Sequence, residues 1–288
     1  NNVYDVKVQV SDGSLTDTQD IAVTVTNVYE QPVISGGDTA AVNVAENSTT
    51  VMTVPSVIDS TGTGKTYSIT GGADAALFAI NASTGALSFV SAPDYESPAD
   101  SGTNNVYDVT VQVSDGLGGV DSQSIAVNVT NVNEAPVITS NGGYDAVPVS
   151  VAENSTAVTT VTSTDVDAGA TATYSIVGGA DASLFTINSS TVALSFVSAP
   201  NYESPTDIGA NNVYDVIVQA SDSLGGTDTQ AIVVTVTNVN EPPTITSDGG
   251  GTTASLSVAE NSTLVTTVTS TDIDAGAAKT YSIIGGAD

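Results

Sequence analysis

Residues 104–113 read Asn-Asn-Val-Tyr-Asp-Val-Thr-Val-Gln-Val, and a Ser-Asp-Gly turn follows them. Every second residue from Val109 to Val113 is valine, with polar residues between. After the turn at 114–119, a second run alternates in the same way from Ile125 to Val129. A period of two is typical of a strand with one buried face, so the two runs predict an antiparallel hairpin.

The hairpin sequence recurs along the chain. Asn-Asn-Val-Tyr-Asp-Val begins at Asn1, Asn104 and Asn211, and Ala-Glu-Asn-Ser-Thr begins at Ala45, Ala152 and Ala259. The second motif returns after 107 residues each time, which is the length of a domain and not of a solenoid coil. The pattern predicts the C-terminal half of a repeat at 1–30, complete repeats at 31–134 and 135–241, and the N-terminal portion of another repeat at 242–288.

This organisation is expected of an excerpt from a longer array. End-to-end complementation between copies is the alternative, in which the last segment of one chain completes the first segment of the next. We consider it the weaker of the two, because neither end carries a segment that matches residues 75–103 or 182–210.

The rest of each repeat also predicts strands. Residues 77–80 and 86–90 read as a hairpin around a turn at 81–85, and no sustained helical period occurs. About seven short strands in a hundred residues, separated by Gly, Pro, Asn and Asp, are typical of an Ig-like Greek-key β-sandwich. Tyr107 and Tyr214 fit the tyrosine corner of such folds. We therefore predict an all-β chain of tandem sandwiches arranged end to end as a rod.

The composition restricts the possible partners. Three Lys+Arg stand against 32 Asp+Glu, for a formal net charge of −29, which argues against binding to nucleic acid or anionic lipid. Carboxylates in this excess must be spread out in water or neutralised by cations that the folded state holds. Cys, His and Trp are absent, so disulfides and thiol or imidazole catalysis are excluded. No apolar run of membrane-spanning length occurs, and we expect no enzymatic activity.

Acidic and amide residues recur at fixed places in each repeat, and their oxygens are the hard ligands that calcium prefers. Residues spaced by two along an extended chain lie on one side of it, as in Pro-Asp-Tyr-Glu and Asp-Val-Asp. Around the linker of the two complete repeats these residues are Glu46, Asp94, Glu96, Asn131, Asn133, Glu134, Asp165, Asp167 and Asp222.

The set resembles the cadherin family. In cadherins a Glu near the first strand, an Asp-x-Glu loop and an Asn-rich linker ending in Pro meet an Asp-x-Asp and an Asp-Gly turn of the next domain. The resemblance covers essentially the whole chain and implies that these nine residues bind several Ca²⁺ ions at the junction. It also assigns Asp115, in the Asp-Gly turn of the preceding repeat, as a ligand. Glu134 stands where Asp is usual, a variation found in bacterial members.

The other two junctions depart from this pattern. Around the second linker, Asn201 replaces the first carboxylate of the Asp-x-Glu loop, and the remaining candidate ligands are Glu153, Glu203, Asn238, Asn240, Glu241, Asp272 and Asp274. Around Asn27–Pro32, Tyr29 replaces the linker Asn, and Ile58 and Ser60 stand where Asp165 and Asp167 are expected. We predict fewer ions at this first junction, which is then either a flexible elbow or held by an apolar contact of Tyr29.

These observations favour an extracellular, bacterial, cell-surface array that calcium stiffens, such as a surface fibre, an S-layer element or an adhesin stalk. Its partners would be neighbouring repeats and copies of the chain associating laterally or end to end. The alternative is that the repeats themselves bind a glycan or a cadherin-like partner. Asn47-Ser48-Thr49 matches a glycosylation acceptor, but Asn there also suits the shaping of a loop.

Overall fold

The alternating runs form β-strands, and the first compact unit, Asn1–Val132, consists of strands and turns. The computed structural model of the chain describes residues 2–58 and 64–287. The strands of this unit are β1 (Val3–Ser11), β2 (Thr16–Thr24), β3 (Val33–Ile34), β4 (Thr39–Ala45), β5 (Thr50–Thr53), β6 (Ser56–Val57), β7 (Thr66–Gly71), β8 (Phe78–Ile80), β9 (Ala86–Phe89), β10 (Val106–Ser114) and β11 (Val120–Thr130).

The complete repeat of this unit is a β-sandwich, as predicted. One sheet has the order β4-β11-β10-β7 and the other the order β5-β9-β8, while β3 pairs with β6 alone. Strands β10 and β11 form the predicted antiparallel hairpin, and β4 runs parallel to β11. The predicted hairpin around the turn at 81–85 is also present, with Phe78 opposite Phe89. A short 3-10 turn, Ala75–Leu77, precedes it.

The prediction of about seven strands was too low, because the described part of this repeat has nine. The two additional strands, β3 and β6, are two residues long each and pair only with one another. The chain leaves this short pair after Ile34 and joins the larger sheet at Thr39. The first strand of the sandwich is therefore divided between two sheets, an arrangement that leaves no periodic signal in the sequence.

The core lies between the two sheets. Val109, Val111 and Val113 are buried, as their alternation predicts. The rings of Phe89 and Tyr107, one from each sheet, pack edge to face with centroids 5.2 Å apart, a preferred aromatic geometry. The Tyr107 hydroxyl accepts the backbone N–H of Ala99 (3.1 Å), which is the hydrogen bond of a tyrosine corner.

The second compact unit, Asn133–Asp288, repeats this plan. Its sheets have the orders β13-β20-β19-β16 and β14-β18-β17, and β12 pairs with β15 and β21 with β22. The strands are β12 (Val137–Ile138), β13 (Ala146–Ala152), β14 (Ala157–Thr160), β15 (Ser163–Thr164), β16 (Thr173–Gly178), β17 (Phe185–Ile187), β18 (Ala193–Phe196), β19 (Val213–Ser221), β20 (Thr227–Thr237), β21 (Thr244–Ile245) and β22 (Ser270–Thr271).

Helical structure in the described residues is limited to 3-10 turns of three residues: Ala75–Leu77, Ser140–Gly142, Ala182–Leu184 and Ser247–Gly249. Accordingly, the described part of the chain holds no helix with the length and apolarity to cross a membrane. The all-β, tandem-sandwich fold predicted from the sequence is confirmed.

Candidate metal-binding sites at the repeat linkers

A buried glutamate lies directly after the first long strand of each sandwich. Glu46 follows β4 and is 4% exposed, and Glu153 follows β13 and is 3% exposed. Each backbone N–H extends the parallel ladder by donating to the facing strand, at Thr130 and Thr237 respectively. The burial excludes a solvated strand end for either residue.

Each of these carboxylates accepts two backbone N–H groups. Those of Tyr95 and Val132 donate to the two oxygens of Glu46, at 2.8 and 2.7 Å. Those of Tyr202 and Val239 donate to Glu153 in the same way, at 2.9 and 2.8 Å. Because a carboxylate oxygen has two lone pairs, each one retains a free acceptor position for a cation.

In the first unit, three predicted ligands converge. Glu46, Asp94 and Glu96 each offer a carboxylate oxygen, and the three oxygens lie within 4.8 Å of one another. Asn131 donates its side-chain amide to Glu96 Oε1 (3.0 Å). Asp94 accepts the backbone N–H of Ser97 (2.9 Å), so its turn is fixed independently of any ion.

The second unit holds a corresponding cluster at its 238–241 linker. Oxygens of Glu153, Glu203 and Glu241 lie within 4.8 Å of one another. Glu203 Oε2 and Glu241 Oε2 are buried and accept no hydrogen bond. Burial first, and then the negative charges of Glu153, Glu203 and Asp274, raise the pKa of Glu241.

The remaining ligand candidates of this linker surround the cluster. Asn238 donates to Glu203 Oε1 (2.8 Å) and to Asp274 Oδ1 (3.0 Å). The backbone N–H of Glu241 donates to Asp274 Oδ2 (2.8 Å), and that of Asp274 to Asp272 Oδ1 (3.1 Å).

Two of the predicted ligands are less involved. Asn240 donates to its neighbour's carbonyl, that of Glu241 (3.1 Å). Asn201 repeats the turn of Asp94, accepting the N–H of Ser204 (2.8 Å), and contributes no charge.

The sequence reasoning missed one residue of this cluster. Asn154 donates its amide to Glu241 Oε1 (3.1 Å) and adopts a left-handed backbone conformation with φ 61°. Asn tolerates this conformation better than most residues. The available signal was its place beside Glu153 in the recurring Ala-Glu-Asn-Ser-Thr motif.

The second unit begins at Asn133 and so contains the later part of the 131–136 linker. The predicted ligands in this part of the unit contact one another. The backbone N–H of Glu134 donates to Asp167 Oδ2 (2.8 Å), and that of Asp167 to Asp165 Oδ1 (3.0 Å). Asn133 donates its amide to Asp222 Oδ2 (2.7 Å). Asn133 Oδ1 and Asp165 Oδ2 are buried with no hydrogen-bond partner.

Asp222 is the most heavily hydrogen-bonded of these carboxylates. The backbone N–H groups of Leu224, Gly225 and Gly226 donate to its Oδ1, at 2.7, 3.0 and 3.0 Å. The hydrogen bond from Asn133, followed by those of the backbone, lowers the pKa of Asp222 against the opposing effect of burial. The group is therefore held as a carboxylate.

The linker at 27–32 is built differently. Tyr29 donates its hydroxyl to Asp115 Oδ2, so the contact that one of our two alternatives for this junction took to be apolar is a hydrogen bond to a carboxylate. Asp115, predicted as a ligand, is 2% exposed and also accepts the backbone N–H groups of Leu117 and Gly119. Ile58 is described and offers no ligand oxygen from its side chain, whereas Ser60 lies outside the described residues.

The donor set suits a hard divalent cation. Every candidate ligand is a carboxylate or an amide, and the chain has neither Cys nor His, so oxygen is the ligand atom throughout, as Ca²⁺ prefers. Buried carboxylate oxygens without a hydrogen-bond partner are costly unless a cation meets them. The residues of the 238–241 linker therefore fit a calcium site.

Residues 147–238 match the family described as Cadherin domain. Domains of this family are typically extracellular adhesion domains, generally bind Ca²⁺ and are generally not enzymes.

Two human proteins are similar to this chain. The chain is 30% identical over 232 residues to Protocadherin Fat 1 of Homo sapiens, covering 77% of this chain and 5% of that relative's length. The crystal structure of human CDH23 EC21-23 has the same fold, with a TM-score of 0.52 at 19% sequence identity, covering 86% of this chain and 81% of that one.

Proposed function

We propose that this chain is part of an extracellular tether in which Ca²⁺, bound at the linkers, stiffens the connection of successive sandwiches. The observation that supports this most strongly is the cluster of Glu153, Glu203 and Glu241, where two buried carboxylate oxygens lack a partner. The role is structural and adhesive: the chain would form a stalk or fibre on a cell surface, bacterial in our proposal.

Electrostatics favours an ion at this cluster. Two like charges 4 Å apart repel by roughly 4 kcal/mol at an effective dielectric constant of 20. One oxygen of each of the three carboxylates lies within 4.8 Å of the others, and the whole chain has only three basic residues to offset 32 acidic ones. A divalent cation removes the repulsion and supplies the ligand that the buried oxygens lack.

The position of the cluster explains how an ion would stiffen the chain. Glu153 and Glu203 belong to the sandwich, Glu241 to the linker, and Asp272 and Asp274 follow β22 in the next segment. An ion held by all of them would join four stretches of chain that are far apart in sequence. Binding would thus restrict the linker, and removing the ion would release it.

The same proposal extends to the residues with equivalent sequence positions around the 131–136 linker. These proposed ligands are Glu46, Asp94, Glu96, Asn131, Asn133, Glu134, Asp165, Asp167 and Asp222. Neighbouring repeats are the proposed partners, and lateral or end-to-end association of copies is a further part of the proposal.

Isothermal titration of calcium into the full chain tests the proposal. Replacing Glu203→Gln and Glu241→Gln together should abolish one class of sites or weaken it at least about tenfold, because ligand charge sets calcium affinity. The double variant Asp108→Asn with Asp215→Asn is the matched control, since it removes two charges from exposed positions of β10 and β19. Unchanged stoichiometry and affinity in the Glu variant would contradict the assignment of this cluster.

A second measurement addresses stiffness. Small-angle scattering of the full chain in millimolar calcium and in chelator should show a broader distribution of dimensions after chelation. An identical distribution in both conditions would show that calcium, even if bound, does not restrict the linkers.

A further inference from the structure

We infer that the linker at 27–32 is closed by the hydrogen bond from Tyr29 to Asp115 in place of calcium, so that it stays ordered when calcium is removed. The contrast with the other linkers rests on the proposed function. The closed state of this one linker rests on its own contacts.

Tyr29 occupies the position that Asn takes in the equivalent linker. The sequences Asn27-Val-Tyr-Glu-Gln-Pro32 and Asn131-Val-Asn-Glu-Ala-Pro136 align without a gap, which places Tyr29 opposite Asn133. Both donate to the Oδ2 atom of an aspartate that begins the turn after a long strand, Asp115 after β10 and Asp222 after β19. The donor changes from an amide to a phenol, and the acceptor is kept.

The replacement removes the atom that would bind a metal. Asn133 has a second polar atom, Oδ1, which is buried and unpartnered, whereas the single oxygen of Tyr29 is engaged as a hydrogen-bond donor. Ile58 replaces Asp165, whose Oδ2 is likewise buried and unpartnered. Asn133 Oδ1 and Asp165 Oδ2 therefore have no counterpart at positions 29 and 58.

The linker at 27–32 packs closely against the turn that follows β10. A Cβ atom added at Gly119 would overlap the Tyr29 hydroxyl and lie 2.8 Å from Pro32 Cδ, so the linker lies directly on the glycine. Asp115 is almost fully buried and receives two backbone N–H groups besides the phenol. The shared hydrogen bond raises the pKa of Tyr29 and lowers the pKa of Asp115, so each group is held in the protonation state that the bond needs.

Hydrogen–deuterium exchange of the full chain in calcium and in chelator tests the inference. Peptides covering 26–34 should keep their exchange rate when calcium is removed, while peptides covering 238–245 exchange faster. Tyr29→Phe deletes the hydroxyl alone and should speed exchange at 26–34 roughly tenfold in both conditions, the effect expected of losing one hydrogen bond to a charged group. Tyr4→Phe is the matched control, because Tyr4 is 60% exposed in the same segment.

A triple variant tests the inference by gain of function. Tyr29→Asn combined with Ile58→Asp and Ser60→Asp restores the residues found in the other linker, and should make protection at 26–34 depend on calcium. Faster exchange of 26–34 in chelator for the unmodified chain, or no effect of Tyr29→Phe, would overturn the inference. If neither linker of the unmodified chain responds to calcium but Tyr29→Phe opens 26–34, the proposed function fails and the hydrogen-bonded closure stands.

Discussion

Replacing Glu153 or Glu203 with Gln removes one negative charge from the same cluster, but the two changes affect the backbone differently. Glu153 accepts the backbone N–H groups of Tyr202 and Val239. Glu203 accepts a side-chain amide, that of Asn238, and its Oε2 accepts nothing. The pair of variants can therefore separate the anchoring of the backbone from the removal of charge.

The expected difference in stability follows from the number of hydrogen-bond acceptors that each side chain offers. A Gln side chain has one carbonyl oxygen, so at position 153 its amino group would face one of the two N–H donors and leave that donor without an acceptor. An unsatisfied buried donor costs about 1–3 kcal/mol. Relief of repulsion is common to both variants, because all three carboxylates lie within 4.8 Å of one another. In chelator, Glu153→Gln should therefore be less stable than Glu203→Gln by about 1–3 kcal/mol.

Hydrogen exchange of amides in β20, measured in chelator, reports this difference for the second sandwich alone. Exchange through opening of the sandwich should be roughly 5- to 150-fold faster in Glu153→Gln than in Glu203→Gln. Glu46→Gln repeats the experiment in the first sandwich, where the donors are Tyr95 and Val132. Equal exchange in the two variants would refute the reasoning, because it would mean that the buried carboxylate does not anchor the backbone.

Three further outcomes are expected. Adding chelator to the unmodified chain should expose residues 238–243 to proteolysis while the β19–β20 hairpin stays protected; protection of the linker in chelator would count against calcium as its support. In urea unfolding, Gly226→Ala should lower the free energy of unfolding of the second sandwich by about 1–3 kcal/mol, because the added Cβ would lie 2.8 Å from Ala135 Cα. Gly178→Ala is the control, because the atom nearest to its added Cβ is 3.4 Å away. The Tyr29–Asp115 hydrogen bond should contribute its full stability between the ordinary pKa values of 3.8 for Asp and 10.0 for Tyr. This contribution should be lost as the pH rises through the raised pKa of Tyr29 or falls through the lowered pKa of Asp115. In Tyr29→Phe the loss of exchange protection at 26–34 at alkaline pH should disappear.

The long hairpins could be predicted because each strand buries alternate residues for its whole length. β10 and β11 show this alternation, and their sequences gave the correct pairing around the turn. Strands of two residues, such as β3 and β6, contain a single period of the alternation, so no repeating pattern distinguishes them from a loop. The parallel pairing of β4 with β11 joins the two ends of the sandwich, and local sequence carries no information on that contact.

The acidic residues could be predicted as a set, but their roles could not. Recurrence singled out Glu46, and only the structure shows that its carboxylate is buried and anchors two backbone N–H groups. An apolar contact of Tyr29 was one of the two alternatives predicted for its junction, because an aromatic ring suggests apolar packing. Its hydroxyl also needs a partner, and it donates to Asp115. Asn154 was overlooked as a member of the cluster because Asn beside a Glu is equally typical of a loop.

The two sandwiches share their aromatic core residues and differ in their linkers. Their cores correspond residue for residue at the aromatic centre, with Phe78, Phe89 and Tyr107 in one and Phe185, Phe196 and Tyr214 in the other. The linkers differ at positions that decide whether an oxygen is available for a cation, as between Tyr29 and Asn133.

Close-packed cores tolerate little change in shape without loss of stability, whereas an exchange of Tyr for Asn in a linker leaves the sandwiches intact. An array can therefore vary the calcium dependence of each joint separately from the stability of its domains. Linker substitutions that alter calcium dependence should therefore leave hydrogen exchange in β10 and β19 unchanged. Core substitutions should change exchange in these strands and leave the calcium dependence of the linkers unchanged.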